Sequence, residues 1–277
     1  MRLLADADEA RAYLRRDLPL WAWPICTLGA REWPFVRLWV QTDTAGDPDT
    51  PAGQPEPARA CSPLDGGQAG VWVLDHPGWG GGLQAFGEST VIEQMLGSIV
   101  LPGRAFIRTL PAVSELLQAR YTFEWLDPIV RMHATPETLI VPPAARLVEQ
   151  LTLDDAVGLV DLYAHWPESR FHPGRMRQGY QYVGVREGER IVAVAEQTLA
   201  AQQDGLAVVQ GVLVDPAWRG RGLAGAVTAS MTLRLFEAGF EHVVLDVRER
   251  NLAALAAYHR IGYREHVTLI AGPAIAR

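Results

Sequence analysis

The chain has 277 residues, 48% of them hydrophobic, and a formal net charge of −7. This length allows two domains of ordinary size, each with its own core. The negative charge argues against a general nucleic-acid-binding protein, which would present a basic surface. No apolar stretch approaches the roughly 20 residues that a membrane-spanning helix needs, so we expect no membrane partner.

The amino terminus and the cysteines indicate the compartment. Residues 1–9 become acidic at once, unlike a secretory signal peptide. Cys26 and Cys61 lack the spacing of metal ligands, and without a secretory segment we expect two reduced thiols. These features predict a cytoplasmic protein without a metal site.

The first half of the chain contains patterns typical of a small α/β unit. Helices are predicted over residues 6–18, 88–100 and 111–119. Strands are predicted at Val36–Gln41, Val71–Leu74, Phe106–Arg108 and Ile129–Met132. The segment Asp47–Pro57 is rich in proline, glycine and charge, which predicts an exposed, mobile loop.

Three prolines, Pro136, Pro142 and Pro143, separate the two halves of the chain. Because proline interrupts regular elements, we place the domain boundary near residues 135–145. The predicted domains are therefore residues 1–140 and residues 141–277.

The second half begins with a helix signal, in which Thr152 is the capping residue and acids follow it in the first turn. Eight elements are predicted after residue 152. The helices cover Ala156–Tyr163 and residues 223–238 and 252–260. The strands are Gln181–Val185, Arg190–Leu199, Leu206–Val214, Val243–Val247 and Val267–Ile270, of which the first two form a hairpin around Gly188.

The segment Val212–Ala224 leads from a strand, through a turn rich in glycine and arginine, into a helix. The first amide groups of a helix have no internal partners and lie at the positive end of its dipole. Glycine lets the backbone approach a phosphate closely, and Arg219 and Arg221 add positive charge. The segment therefore predicts a binding site for an anion such as a pyrophosphate.

Other motifs of this kind fit the segment less well. It does not end in the Gly-Lys-Ser/Thr of a Walker A loop. Its glycine spacing differs from a dinucleotide fingerprint, and no acidic residue follows at the required distance. A turn of structural role only, and phosphate binding by another cofactor, remain as alternatives.

Arg219-Gly-Arg-Gly-Leu-Ala224 matches the acyl-CoA pyrophosphate motif of the GNAT superfamily, and Arg250–Tyr263 resembles that superfamily's next motif at a typical spacing. The order of strands extends the resemblance to about residues 143–277. Gly179–Val185 and Gly225–Ala229 further resemble the two-lobed branch that includes glycine N-acyltransferase-like proteins.

The resemblance implies an α/β (α+β) protein with a carboxy-terminal GNAT fold, whose mixed, mostly antiparallel sheet is flanked by helices. It also implies an amino-terminal, degenerate GNAT-like α/β lobe that shapes the acceptor pocket. Within that lobe, His76–Leu83 faintly resembles residues 216–223 but lacks the arginines. We interpret it as a glycine-rich turn and not as a second active site.

The resemblance implies an N-acyltransferase (EC 2.3.1.-) that transfers an acyl group, by preference acetyl, from acetyl-CoA or another acyl-CoA. The acceptor would be a small-molecule or peptide amine that attacks directly, with no metal involved. The pantetheine amides would pair with Val212, Leu213 and Val214. The other residues expected to contact CoA are Arg219, Gly220, Arg221, Gly222, Leu223, Ala224, Asn251 and Ala254.

Tyr258 lies seven residues after Asn251, on the same helix face, and the resemblance implies that it protonates the departing thiolate. A phenol suits this task because it keeps its proton at neutral pH and can hydrogen-bond developing negative charge. The structural alternatives are a helix cap for Asn251 and a packed aromatic ring for Tyr258.

The general base is less evident, because the strand Leu206–Val214 contains no acid before Asp215. Glu196, on the preceding strand, is the nearest candidate, and a salt-bridged or surface role is its alternative. His165 and His172 lie in the region that lines the acceptor side in the family. A non-catalytic acyl-CoA sensor and an amino-acid N-acyltransferase with a longer acyl donor are the alternative functions.

Overall fold

The computed structural model describes residues 1–29, 33–41, 69–77, 80–166, 169 and 171–277. The α-helices are α1 Ala7–Leu14, α2 Ala22–Cys26, α3 Ser89–Ser98, α4 Pro111–Gln118, α5 Ala156–Tyr163, α6 Pro173–Arg177, α7 Leu223–Glu237 and α8 Leu252–Arg260. The strands are β1 Arg2–Leu3, β2 Val36–Val40, β3 Gly70–His76, β4 Gly80–Phe86, β5 Arg104–Thr109, β6 Tyr121–Phe123, β7 Asp127–Ala134, β8 Glu149–Leu151, β9 Gln181–Glu187, β10 Arg190–Ala201, β11 Leu206–Val214, β12 His242–Arg248 and β13 Arg264–Ala276. The loop predicted at Asp47–Pro57 and Cys61 lie outside the described residues.

The predicted α/β class is confirmed, and the elements of the second half agree with their predicted positions. The predicted cap at Thr152 is also confirmed. It forms a capping box with Asp155, whose carboxylate accepts from the Thr152 amide. This arrangement satisfies amide groups that the first turn leaves without partners, so the chain turns into α5 at this point.

The glycine-rich turn predicted over His76–Leu83 is only partly confirmed: Pro77 lies in a turn, residues 78–79 lie outside the described residues, and Gly80–Leu83 belong to strand β4. A Cβ at Gly81 would lie 2.0 Å from the Arg104 carbonyl oxygen, and one at Gly82 would lie 2.8 Å from the Trp72 ring. The glycines therefore permit a close approach to neighbouring backbone and to an aromatic ring.

The chain divides into two compact units. Met1–Ile129 and Val267–Arg277 form the first, and Val130–His266 forms the second. The domain division at residue 140 stays a prediction, since it concerned the extent of a family domain. No helix among the described residues combines the length and apolar character needed to cross a membrane.

The first unit contains a sheet in the order β1-β2-β3-β4-β5, continued by residues 267–276 of β13. All of its pairings are antiparallel except that of β4 with β5, which α3 connects. The core contains Ile92 and Met95 of α3 and Val113 and Leu117 of α4.

The second unit contains the order β8-β9-β10-β11-β12, with residues 130–134 of β7 beyond β12. Its strands β10 and β11 are antiparallel, and β12 is parallel to β11 through the crossover helix α7. One core cluster joins α7 and α8 to the sheet, and a second joins α5 to β9 and β10. Helices therefore cover both faces of this sheet.

Candidate active site

The strands β11 and β12 part after the first three residues of each. Their parallel pairing joins Leu206–Val208 to His242–Val244 and ends there, although β11 continues to Val214 and β12 to Arg248. On its other side β11 remains paired with β10 as far as Val214. The edge over residues 209–214 thus has no strand partner on the β12 side within the described chain. Its amide and carbonyl groups can pair with an extended ligand.

Val212, Leu213 and Val214, the residues predicted to pair with pantetheine, lie on this edge and are all partly buried. The side chains of Val212 and Val214 pack against the core cluster on the α7 side, whereas Leu213 packs against the cluster on the α5 side. This alternation holds the strand between two apolar layers, so its unpaired backbone edge faces the space between β11 and β12.

The loop that follows β11 presents backbone and positive charge to solvent. Gly220 and Gly222 both have φ of +77°, a left-handed conformation that favours glycine, and Gly222 is the N-cap of α7. No side chain bonds to this helix end, so the amides of its first turn are open to a ligand. A Cβ at either glycine would meet no atom within 4 Å among the described residues, so there is room beside the backbone for an anion.

The two arginines of the loop are exposed, and each lies over an aromatic ring. The Arg221 guanidinium is 4.2 Å from the centre of the Trp218 ring, and that of Arg219 is 5.7 Å from the Trp166 ring. Arg219 also donates from Nε to the Val214 carbonyl oxygen at 3.4 Å. Leu223 is buried at the start of α7, and Ala224 is partly buried beside it. The segment therefore has the composition of an anion-binding site.

Tyr258 lies on α8, as predicted, and Asn251 is the residue immediately before this helix. Asn251 is exposed and caps the helix, because its Oδ1 accepts from the Ala254 amide at 3.2 Å. Tyr258 is only 7% exposed and belongs to the core cluster that includes Leu245 and Val247 of β12. Burial raises the pKa of its hydroxyl well above the ordinary value, so the group stays protonated.

Glu196 is a buried carboxylate held by two donors. Its Oε1 accepts from the Tyr182 hydroxyl at 2.6 Å and from Arg175 Nη1 at 3.1 Å. Burial raises the pKa of this carboxyl group, and the bonds from Tyr182 and Arg175 oppose that effect. The salt-bridged alternative is thus present in the structure, together with an environment that favours proton uptake.

Glu196 lies beside an irregularity in the sheet. The register between β10 and β11 shifts between the pairs Glu196–Gln210 and Val194–Leu213, where Gly211 has φ of +56°. This is a β-bulge, and bulges often redirect side chains near active sites. Sequence reasoning missed the bulge, Tyr182 and Arg175. The glycine within an otherwise apolar strand was the signal available for the bulge.

The other acid and the two histidines have separate partners. Asp215 is buried, accepts from the Ala217 amide at 2.9 Å and pairs with Arg190 at 2.6 Å. His165 lies 3.8 Å from the same carboxylate, and His172 caps α6 by accepting from the Gly174 amide. These contacts place His165 near the end of β11 and His172 at a helix start. No group of three or more metal-binding side chains occurs among the described residues.

The first unit has the same order of elements as the second, but its parallel strands, β4 and β5, remain paired. Strands β4 and β5 pair from Gly82–Phe106 to Ala85–Thr109, almost to the end of β4. The segment that corresponds to the loop before α7 is Gly87-Glu88, which precedes α3 and contains no arginine. His76 belongs to β3 and Gly80–Leu83 belong to β4, whereas residues 216–223 lead from a strand into a helix, so the likeness in sequence is not matched in topology.

Residues 154–263 match the model of the family described as Acetyltransferase (GNAT) family. The matched segment contains Glu196, the arginine–glycine loop and helix α8. No curated protein matches the chain significantly. The predicted resemblance to GNAT acetyltransferases is confirmed at this level.

Solved structures share the fold. A GNAT-family protein from Novosphingobium aromaticivorans has a TM-score of 0.52 and 20% identity, over 70% of this chain and 84% of its own. A Drosophila melanogaster protein has a TM-score of 0.56 and 16% identity, over 75% and 74%. A GCN5-related N-acetyltransferase from Kribbella flavida has a TM-score of 0.50 and 20% identity, over 74% and 86%. Each of these matches covers more of this chain than one compact unit contains, so the similar fold includes residues of both units.

Proposed function

We propose, from the match of residues 154–263 to the GNAT acetyltransferase family, that this protein is an N-acyltransferase that moves an acyl group from acyl-CoA to an amine. The observation that carries the proposal is the parting of β11 from β12 after Val208, next to the exposed loop 219–222.

We further propose acetyl-CoA as the donor and the two-lobed branch as the place of this chain in the family. The repeated order of elements in the first unit supports the latter.

The loop and the strand edge suit different parts of acyl-CoA. The pyrophosphate is an anion, and the amides before and within the first turn of α7, together with Arg219 and Arg221, supply donors and positive charge. Pantetheine carries two amides, which can extend the sheet along residues 212–214. The thioester would then reach the bulge at Gly211, because pantetheine would run back along β11 from the loop.

The reaction needs one proton removed from the acceptor before the C–N bond forms. The neutral amine attacks the thioester carbonyl carbon, the C–S bond breaks, and the sulfur leaves as a thiolate. The hydroxyl of Tyr258 can donate to that sulfur, which takes up a proton to leave as free CoA. The nitrogen loses a second proton as the amide forms, and this proton replaces the one that Tyr258 gave to the sulfur, so the protons balance.

The proposal is tested by incubating the protein with acetyl-CoA and a panel of primary amines and identifying acylated products by mass spectrometry. Release of free thiol, measured in parallel, should match product formation. Butyryl-CoA and benzoyl-CoA in place of acetyl-CoA would define the acyl preference. Binding of acetyl-CoA without acylation of any amine would contradict catalysis and favour a sensor.

A further inference from the structure

The hydroxyl of Tyr163 is buried and forms no well-aligned hydrogen bond in the described structure, although it interacts with the Glu196 carboxylate and lowers the pKa of that group. The residue ends α5 and is 6% exposed, with its ring against Phe171. Native proteins rarely leave a buried hydroxyl unpaired, because it then lacks the bonds that water gave it. A buried hydroxyl with incomplete bonding beside a proposed active site has capacity for a second partner, such as a ligand.

Tyr163 and Glu196 meet at the bulge. A Cβ at Gly211 would lie 2.9 Å from the Tyr163 hydroxyl oxygen and 2.9 Å from Glu196 Oε2. The two oxygens are therefore at most about two hydrogen-bond lengths apart. The absence of a Cβ at position 211 lets both oxygens approach the strand whose free edge would bind acyl-CoA without being displaced. Both oxygens thus lie next to the position proposed for the thioester.

The two oxygens of Glu196 have different surroundings. Oε1 accepts the shorter bonds from Tyr182 and Arg175, whereas Oε2 lies 3.4 Å from Arg175 and faces Tyr163. Among the described residues, the titratable or charged groups facing Glu196 are Tyr182 of β9, Tyr163 of α5 and Arg175 of α6. Burial and the Glu196 charge raise the pKa of Tyr163, so its hydroxyl is neutral and can both donate and accept.

We propose that Tyr163 and Glu196 form a proton-transfer pair that deprotonates the acceptor amine, an inference that rests on the proposed function. The ammonium gives a proton to the Tyr163 oxygen while Tyr163 gives its own proton to Glu196 Oε2. The amine becomes neutral, the carboxylate becomes a carboxylic acid, and Tyr163 keeps its charge. The proton on Glu196 returns to solvent after product release. Arg175 and Tyr182 are positioning residues that hold Oε1.

The first test needs no turnover. Infrared spectra recorded against pH should show the protonated carboxyl of Glu196 as a band that is lost in Glu196→Gln. The hydroxyls of Tyr163 and Tyr182 each stabilise the ionised form of Glu196. Tyr163→Phe and Tyr182→Phe should therefore each raise the pH midpoint at which that band disappears by about one pH unit. Tyr121→Phe, which removes a buried hydroxyl in the first unit, is the matched control and should leave the midpoint unchanged.

The second test distinguishes a residue that transfers the proton, Tyr163, from one that only positions Glu196, Tyr182. It uses acetyl-CoA and the amine of the panel that is acylated fastest, the same amine for every variant. The base works when ionised, so activity falls as pH drops through its pKa, and a raised pKa moves that fall to higher pH. Tyr182→Phe should move the acidic limb of the pH profile of kcat/KM to higher pH and still reach the wild-type plateau above that limb. Tyr163→Phe should lower the plateau itself at least about 10-fold.

The outcomes distinguish this inference from the proposed function. Absence of turnover by the wild type contradicts the proposed function, whereas the infrared midpoints are still measurable. An unchanged midpoint in Tyr163→Phe, or a recovered plateau in that variant, overturns the proton-transfer pair. If Tyr182→Phe does not fold, Arg175→Gln removes the other donor to Oε1 and should raise the midpoint in its place.

Discussion

The guanidinium of Arg221 lies 4.2 Å from the centre of the Trp218 ring, three residues earlier in the same loop. A cation held over an aromatic face is stabilised by the ring and loses less freedom when it binds a ligand. The loop therefore presents at least one arginine that is partly organised before an anion arrives.

We expect Arg221→Ala and Arg219→Ala each to weaken acetyl-CoA binding by about 1.5–3 kcal/mol, the range for charge-assisted hydrogen bonds. Calorimetry with acetyl-CoA measures this directly. Arg264→Ala removes an exposed arginine from the start of β13 and is the control. Affinities equal to wild type in both loop variants would exclude the arginines from the site.

Gly222→Glu should abolish acetyl-CoA binding while the fold persists. The new carboxylate would stand where the pyrophosphate is expected, at a residue whose φ is +77°. Gly188→Glu is a matched control, because Gly188 also has a left-handed conformation (φ +59°) and open space around it, but lies in the β9–β10 hairpin. Calorimetry and circular dichroism of both variants separate loss of binding from loss of structure. Wild-type affinity in Gly222→Glu would remove the loop from the proposed site.

Each chain should bind one molecule of acetyl-CoA. In the first unit β4 and β5 remain paired up to Ala85–Thr109, so no gap opens to admit pantetheine. The loop before α3 also contains an acid, Glu88, where the second unit has arginines. Calorimetric stoichiometry is the measurement, and a value of two per chain would contradict the prediction.

Tyr258→Phe should lower kcat by about 10- to 1000-fold with little change in acetyl-CoA affinity. The substitution keeps the buried ring and its contact with Tyr263, whose ring centre is 6.2 Å away, and removes only the hydroxyl. Tyr13→Phe serves as a control for loss of a buried hydroxyl in the first unit. Single-turnover rates should be compared, because slow product release can hide a damaged chemical step. A rate within about twofold of wild type would assign Tyr258 a structural role.

The sequence was most informative where function depends on neighbours along the chain. Helix α7 starts at Leu223 and α8 covers Leu252–Arg260, as predicted, because caps, glycines and periodicity are local signals. The arginine–glycine loop was recognisable for the same reason. The roles predicted for its residues, and for Tyr258 and Glu196, await the measurements above.

The surroundings of Glu196 could not be predicted in this way. Tyr163 and Arg175 reach it from two helices that pack on the sheet, so their convergence depends on tertiary packing. The parting of β11 and β12 is likewise invisible in sequence, since both predicted strands continue beyond the residues at which their pairing ends. Gly80–Gly82 misled because glycine indicates turns and close backbone contacts alike.

The pairing of residues 270–275 with β5 has a consequence for how the chain folds during synthesis. These residues follow the whole second unit in the chain, yet they complete the sheet of the first. Until they emerge from the ribosome, the edge of β5 over Arg104–Thr109 lacks this partner, and an open edge can pair with other chains. The second unit can therefore finish folding before the first, the reverse of the usual vectorial order. For the same reason, a fragment that ends at residue 140 would expose this edge and should aggregate more readily than the full chain.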